Sequence, residues 1–392
     1  MKDHIKPIIS GVLVLFACLG LGRFVFGMIL PNMQVDLGMS ISEAGLLGTS
    51  NFIGYLLGLV FAGIFYSKFG PKKLISRSLL TQSASMLLMS LSSNFYQISF
   101  FYFMCGFFGS LATIAIMSYI TQNVPRNIRG KAAGLLYAGG GSAIVLSGYT
   151  VPFMDKIYST QSWRYTWGLF AIFTLLIAFF IWFNLVEKPL HVNKTKNNEH
   201  PLAILKDRRF IRIGVLYFCF GITYVIYVTF FVVASMDRWQ ISSNLSSSFW
   251  VLLGFLSIFS GPIFGALSDK IGRYKTISVV FLVQCIANVI MSIELPISYL
   301  WVSASLFGIS VWAIPSIMAV LTAETFGIEK TATIFSKITL VFAIGQILGP
   351  VGAGYITDFM HDFSYAFAFS SLVTFVAFGF SIKFLIKNKQ II

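Results

Sequence analysis

Apolar runs of about 20 residues recur along the chain, separated by short segments of Gly, Pro, Asn and basic residues. Each run is long enough, as a helix, to cross a hydrocarbon core about 30 Å thick. Six fall at 8–30, 43–65, 74–93, 98–121, 132–154 and 165–186. Six more fall at 211–235, 246–266, 276–294, 299–322, 334–357 and 364–386. The pattern predicts an all-α membrane protein with twelve transmembrane helices. It also predicts two six-helix halves, 1–186 and 211–392, joined by a polar linker at 187–210. The first run is too long for a signal-peptide core and lacks a small-x-small cleavage site, so it is expected to remain as a span. Pro201 to Arg212 has the composition of a short amphipathic surface helix.

Composition agrees with this reading. The chain is 57% hydrophobic and 11% charged, whereas a soluble protein carries about a quarter of its residues as Asp, Glu, Lys and Arg. The net charge of +14 raises the question of nucleic acid, and its distribution answers it. With the N-terminus inside, 24 of the 28 Lys and Arg fall in cytoplasmic segments, while Lys156, Arg164 and Arg238 fall outside and Arg23 lies within a span. That asymmetry is the positive-inside rule; it places both termini and the linker in the cytoplasm and leaves no role for nucleic acid. Cys18, Cys105, Cys219 and Cys285 lie apart within apolar runs and read as small core residues, not a disulfide framework or a metal site.

Two tight turns repeat at a spacing of 202 residues. Gly63, Lys68, Gly70, Lys72 and Lys73 line up with Gly265, Lys270, Gly272, Tyr274 and Lys275. Gly106 and Gly308 share that spacing. The second turn carries Gly265, Asp269, Lys270, Gly272, Arg273 and Lys275, the pattern G-x-x-x-D-[RK]-x-G-[RK]-x-[RK]. It resembles the loop signature of the major facilitator superfamily of secondary transporters. The run Gly20-Leu21-Gly22-Arg23-Phe24, with Leu30-Pro31-Asn32-Met33 and Phe218 to Phe231, resembles the bacterial YbfB/YjiJ subgroup. The resemblance implies two parallel halves built from inverted three-helix repeats, with a substrate site at mid-membrane between them. It also implies that these turns gate the cytoplasmic side, the Asp capping a neighbouring helix when that side is closed. Ser67 replaces the first Asp, so the first lock lacks a charge. Tyr102 stands near the place of the intramembrane Arg common in the fourth span. The Gly-Pro signature that antiporters carry in the fifth span occurs here in the eleventh, as Gly349-Pro350. Both departures point away from drug–proton antiport.

Ionisable residues at membrane depth are costly and therefore functional by default. Arg23 lies deep in the first span, on one face with Gly20 and Gly27, far from Pro31 and Asn32. Either it faces the cavity and binds an anionic group, or it snorkels outward or rests on helix carbonyls; its depth favours the first. Lys337, one turn inside the eleventh span, is the second candidate, although snorkelling is easy there. No Asp or Glu lies in the middle of a span. Uncharged candidates for hydrogen bonding to substrate are Asn51, Gln82, Tyr137, Tyr224, Tyr227, Trp250, Gln284, Asn288, Trp312 and Gln346, each equally able to bridge helices. In the fifth span Gly134, Ala138, Gly141 and Gly148 form a small-residue stripe, as Gly345, Gly349, Gly352 and Gly354 do in the eleventh.

The expected function is transport of a small solute by alternating access, with a small organic anion preferred because the deep charge is positive. The alternative is an efflux carrier for hydrophobic or amphiphilic compounds, with Arg23 structural. A membrane enzyme or receptor is disfavoured, since no cluster of His, Asp, Glu or Cys has catalytic or metal spacing. An ATP-driven pump is disfavoured by the lack of a G-x-x-x-x-G-K-[ST] sequence. The expected partners are a small-molecule substrate, the lipid bilayer and a coupling ion left open. A monomer in a bacterial inner membrane is expected, with no cofactor and no metal.

Overall fold

The computed structural model describes residues 5–186 and 203–389, and the greater part of the 187–210 linker lies outside them. Among the described residues the long helices are α1 (Ile5–Leu37), α2 (Ile41–Phe69), α3 (Pro71–Leu91), α4 (Phe95–Asn123), α5 (Arg126–Tyr158) and α6 (Ser162–Asn184). They continue with α7 (Arg208–Trp239), α8 (Ser243–Ile271), α9 (Arg273–Ser292), α10 (Ser298–Phe326), α11 (Ile328–Met360) and α12 (Phe363–Lys389). The protein spans the membrane repeatedly. Ten stretches are apolar and long enough to cross on composition alone, and one of these, 135–184, holds two helices. The remaining rod is α3, whose serines lower its apolarity. It lies between α4 and α6, and those serines face protein, as where Ser83 Oγ donates to the Ala171 carbonyl at 2.7 Å.

The helices outrun the expected spans because their stop signals lie beyond the apolar runs. Ser40 caps α2 in a capping box with Glu43. Gly70 and Gly272 each end one helix and begin the next, at φ of 73° and 95°, so the chain reverses over a single residue that needs a left-handed backbone. The expectation of a separate surface helix at 201–212 is corrected. Pro201 and Leu202 lie outside the described residues, Ala203–Lys206 is a single 3₁₀ turn, and Arg208 to Arg212 belong to α7. The cause is Asp207, whose carboxylate accepts from the Arg209 N–H at 2.7 Å and starts α7 there.

The pairing of helices repeats. In the first six, α1 packs on α5, α2 on α4, and α3 on both α4 and α6. In the second six, α7 packs on α11, α8 on α10, and α9 on both α10 and α12. Close approach depends on glycine in both sets. A Cβ on Gly106 would meet the Asn51 carbonyl oxygen at 2.0 Å, and one on Gly308 would meet that of Leu253 at 2.7 Å. Between the sets, α2 packs on α11, α5 on α8, and α1 on α7.

Candidate functional site

The centre of α1 is a π-helix, Phe16–Phe24, in which each turn is wider than in an α-helix. Its carbonyls are claimed by side chains from α2, α3 and α4. Asn51 Nδ2 donates to the Gly22 and Tyr102 carbonyls at 3.3 and 3.1 Å. Gln82 Nε2 donates to that of Ala17 at 3.1 Å, and the Tyr102 hydroxyl to that of Arg23 at 3.3 Å. A Cβ on Gly22 would lie 2.2 Å from Gln82 Nε2, so a larger residue there displaces the Gln82 amide from the Ala17 carbonyl. The π-segment is thus clamped from three sides.

From this segment Arg23 projects with 7% of its surface exposed. Its Nε donates to Asn51 Oδ1 at 3.3 Å, and its guanidinium carbon lies over the Tyr55 and Phe52 rings, 4.1 and 4.8 Å from their centroids. The Tyr55 and Tyr224 hydroxyls also interact with it. Among the described residues no carboxylate lies within 4.0 Å of the guanidinium, whereas Arg164, Arg209, Arg238 and Arg273 each pair with an acid. Arg23 therefore neither snorkels nor rests on helix carbonyls. It is a buried cation held by neutral groups.

Around it the structure gathers five of the other sequence candidates. Asn51 touches Arg23 directly, and Gln346 Nε2 donates to the Tyr224 hydroxyl. Trp312 stacks on Tyr137 with centroids 5.8 Å apart and meets the Phe24 ring edge-on at 5.0 Å. Tyr55 and Phe52, which the sequence reading passed over, complete the cluster. Tyr55 is one helical turn from Asn51 on α2, and that (i, i+4) relation was the available signal.

Five candidates lie elsewhere, among them Asn288 of α9, which donates to the Gln284 carbonyl of its own helix at 2.8 Å. Tyr227 is fully buried, its hydroxyl 2.7 Å from Ser303 Oγ and its ring stacked 3.7 Å from that of Phe307. Trp250 Nε1 donates to Ser147 Oγ at 3.1 Å, tying α8 to α5. Gln284 lies on α9 and donates to the Ser310 carbonyl at 3.5 Å. Lys337 is half-buried on α11, ~14 Å of helix from Gln346 toward the Gly272 end.

Side chains pin the two sets of helices together at one end. At the end of the bundle away from Gly70 and Gly272, Asp358 of α11 accepts from the Ile41 and Ser42 N–H groups at 3.1 and 2.7 Å, capping α2 across the interface. Asp155 of α5 accepts from Ser243 Oγ of α8 at 2.9 Å and from Asn32 Nδ2 of α1 at 2.6 Å. Glycines bring the same helices together: a Cβ on Gly45 would lie 2.3 Å from the Pro350 carbonyl oxygen, and one on Gly254 2.6 Å from Ile144 Cγ2. At the turn end the packing is looser. A Cβ on Gly63, Gly265 or Gly272 would meet nothing within 4 Å among the described residues. There Arg273 binds Asp269 at 2.5 Å and Glu324 of α10 at 2.7 Å, while Ser67 Oγ donates to the Ile64 carbonyl of its own helix, and Lys68 Nζ lies 5.5 Å from the Phe69 ring centroid. Asp269 thus pairs within its own helix set in this conformation.

A family model described as "Uncharacterised MFS-type transporter YbfB" matches residues 15–382. The chain is 23% identical to a quinolone resistance transporter of Acinetobacter baumannii, over 99% of this chain and 96% of that protein. It is 25% identical to the multidrug resistance protein MdtG of Salmonella arizonae, over 83% of each, and 22% identical to a hexuronate transporter of Bacillus subtilis, over 88% and 86%. Its fold superposes on the nucleoside transporter NupG (a D323A mutant) with a TM-score of 0.78, at 14% identity over 95% of this chain and 98% of that one.

Proposed function

This chain belongs to the YbfB-type family of the major facilitator superfamily and is a multi-pass membrane transporter of solutes, and on that premise we propose that it moves a small organic anion by alternating access. The observation that carries the reading is Arg23: a nearly buried guanidinium between the two helix sets, surrounded by Asn51, Tyr55, Phe52 and Tyr224 and, among the described residues, by no acid within 4.0 Å. A substrate carboxylate supplies the missing charge, and the guanidinium fork grips it in two places. The hexuronate carried by one relative is such an anion. A second reading, efflux of hydrophobic or amphiphilic compounds, has its own support. The Tyr137–Trp312 stack offers an aromatic surface beside Arg23, and two relatives are named for drug resistance. A thermal-shift screen of the purified protein against carboxylates and neutral drugs separates the two, since selective binding stabilises the folded state. Stabilisation by carboxylates and not by their methyl esters supports the anion reading; the reverse supports efflux.

In this reading the halves 1–186 and 211–392 rock about the cluster in a bacterial inner membrane. Both termini and the 187–210 linker are cytoplasmic, and the conformation described is closed to the outside by Asp155 and Asp358. Single cysteines at Lys270 and Gln240, in a background without Cys18, Cys105, Cys219 and Cys285, are expected to label from opposite sides of the membrane. Labelling from one side overturns the topology. The gating turns then work at the cytoplasmic face. Asp269→Asn is expected to slow transport more than Ser67→Ala, by a shift of ~1 kcal/mol in the conformational equilibrium, because it removes a charge from a helix terminus. Wild-type rates for Asp269→Asn at matched expression remove that lock from the mechanism.

A further inference from the structure

Among the described residues, two buried polar atoms that the second helix set places beside the Arg23 cluster have no hydrogen-bond partner: Gln346 Oε1 and Trp312 Nε1. Both side chains are more than nine-tenths buried, at 1% and 5% exposure. Gln346 spends its amide N–H on the Tyr224 hydroxyl, which itself interacts with Arg23, so its carbonyl oxygen is left as an acceptor. Trp312 presents a donor, and its ring touches Phe24, the residue after Arg23, and Tyr137 of α5. Gln82 Oε1, Gln284 Oε1 and Asn288 Oδ1 are unpartnered too, but Gln82 reaches the Ala17 carbonyl from α3, within the first helix set, and the other two lie on α9, within the second.

Leaving such atoms unpaired is costly, and a ligand that pairs them recovers that cost. The chemistry of the pair is selective. A site that offers one unpaired acceptor and one unpaired donor is matched by a hydroxylated end, since a hydroxyl both gives and takes a hydrogen bond. A second carboxylate offers Gln346 Oε1 no proton, an ammonium offers Trp312 Nε1 no acceptor, and a hydrocarbon satisfies neither. We infer that the substrate is a hydroxylated carboxylate, its acid end on Arg23 and its hydroxyl end on Gln346 and Trp312. This rests on the anion reading above and adds the neutral end. The Tyr137–Trp312 surface provides an apolar wall for the carbon skeleton between the two ends.

The test compares two ring-sized acids, glucuronate and cyclohexanecarboxylate, and the uncharged sugar glucose, binding to the purified full-length protein by calorimetry. Glucuronate is expected to bind at least tenfold more tightly than cyclohexanecarboxylate, because a site built to hydrogen-bond a hydroxyl rejects the analogue lacking it. Gln346→Leu and Trp312→Phe are expected to weaken glucuronate about tenfold each and to leave cyclohexanecarboxylate unchanged or tighter. Equal affinity of wild type for the two acids, or an equal loss of both in the variants, overturns the hydroxyl end while sparing the anion reading. Glucose binding as well as glucuronate overturns the anion reading instead. Failure of both acids to bind at millimolar concentration overturns the two together. A variant that fails to fold is replaced by Gln346→Met, which keeps the length of the side chain without its carbonyl acceptor; undiminished glucuronate binding by that variant also overturns the inference.

Discussion

Arg23→Gln is expected to abolish carboxylate binding while leaving the protein folded, inserted and no less stable without ligand. Removing one partner of a desolvated charged pair costs roughly 2–5 kcal/mol, so affinity falls about 30-fold at the least. The loss arises from charge, since Gln keeps hydrogen-bonding capacity toward Asn51 Oδ1, to which Arg23 Nε now donates. Arg23→Lys is expected to be intermediate: the charge stays, but the fork is lost, as is the planar group over the Tyr55 and Phe52 rings. Stability without ligand distinguishes this from a structural role. A buried cation with no acid beside it is a desolvation cost that the aromatic faces offset only in part, so its removal does not destabilise the fold. If Arg23→Gln melts several degrees below wild type, Arg23 is a packing residue. If it binds the carboxylate at wild-type affinity, the anion reading fails and the aromatic surface of Tyr137 and Trp312 becomes the site.

How much of this could be read from the chain depended on the range of the signal. Helix number and the two single-residue reversals are local properties of apolar runs and glycines, and α1 to α12 follow them. Only α3 strained the composition argument, because its serines are paid for by tertiary partners such as the Ala171 carbonyl, which sequence does not display. Arg23 stood out as a lone charge in an apolar run. Its surroundings did not: the π-helix depends on Asn51, Gln82 and Tyr102 reaching its carbonyls from three other helices. Polar and aromatic residues at membrane depth were ambiguous for the same reason. Tyr227 and Tyr224 are three residues apart on α7, yet one hydroxyl is tied to Ser303 and the other approaches Arg23. Asp155 and Asp358 fall just past the ends of the expected spans 132–154 and 334–357, and their role in joining α5 to α8 and α11 to α2 depends on a conformation, not on a local pattern.

That conformation can be driven in either direction from α2 alone. Gly45 and Gly63 lie eighteen residues, ~27 Å, apart on this helix. Gly45 is pressed against the Pro350 carbonyl, where backbone opposes backbone and no side-chain rotation makes room for a Cβ. Gly63 has open space around it in the same structure. Gly45→Leu is therefore expected to force α2 from α11 at the outer end, break the cap that Asp358 provides, and favour the outward-open state. Overpacking of a tight contact costs about 1–3 kcal/mol, which moves a two-state equilibrium five- to more than a hundredfold. Gly63→Leu leaves the present state untouched and obstructs the state in which the turns close, so it is expected to hold the protein inward-open. The reporter is a cysteine at Thr49, whose hydroxyl donates to the Ile347 carbonyl at 3.0 Å inside the closed outer interface. An impermeant maleimide added from outside is expected to label it much faster in Gly45→Leu than in the parent, and more slowly in Gly63→Leu. Transport falls in both, because alternating access needs both states populated. Unchanged labelling in Gly45→Leu, in a protein that still inserts and stays monodisperse, means that the α2–α11 contact does not close the outer side.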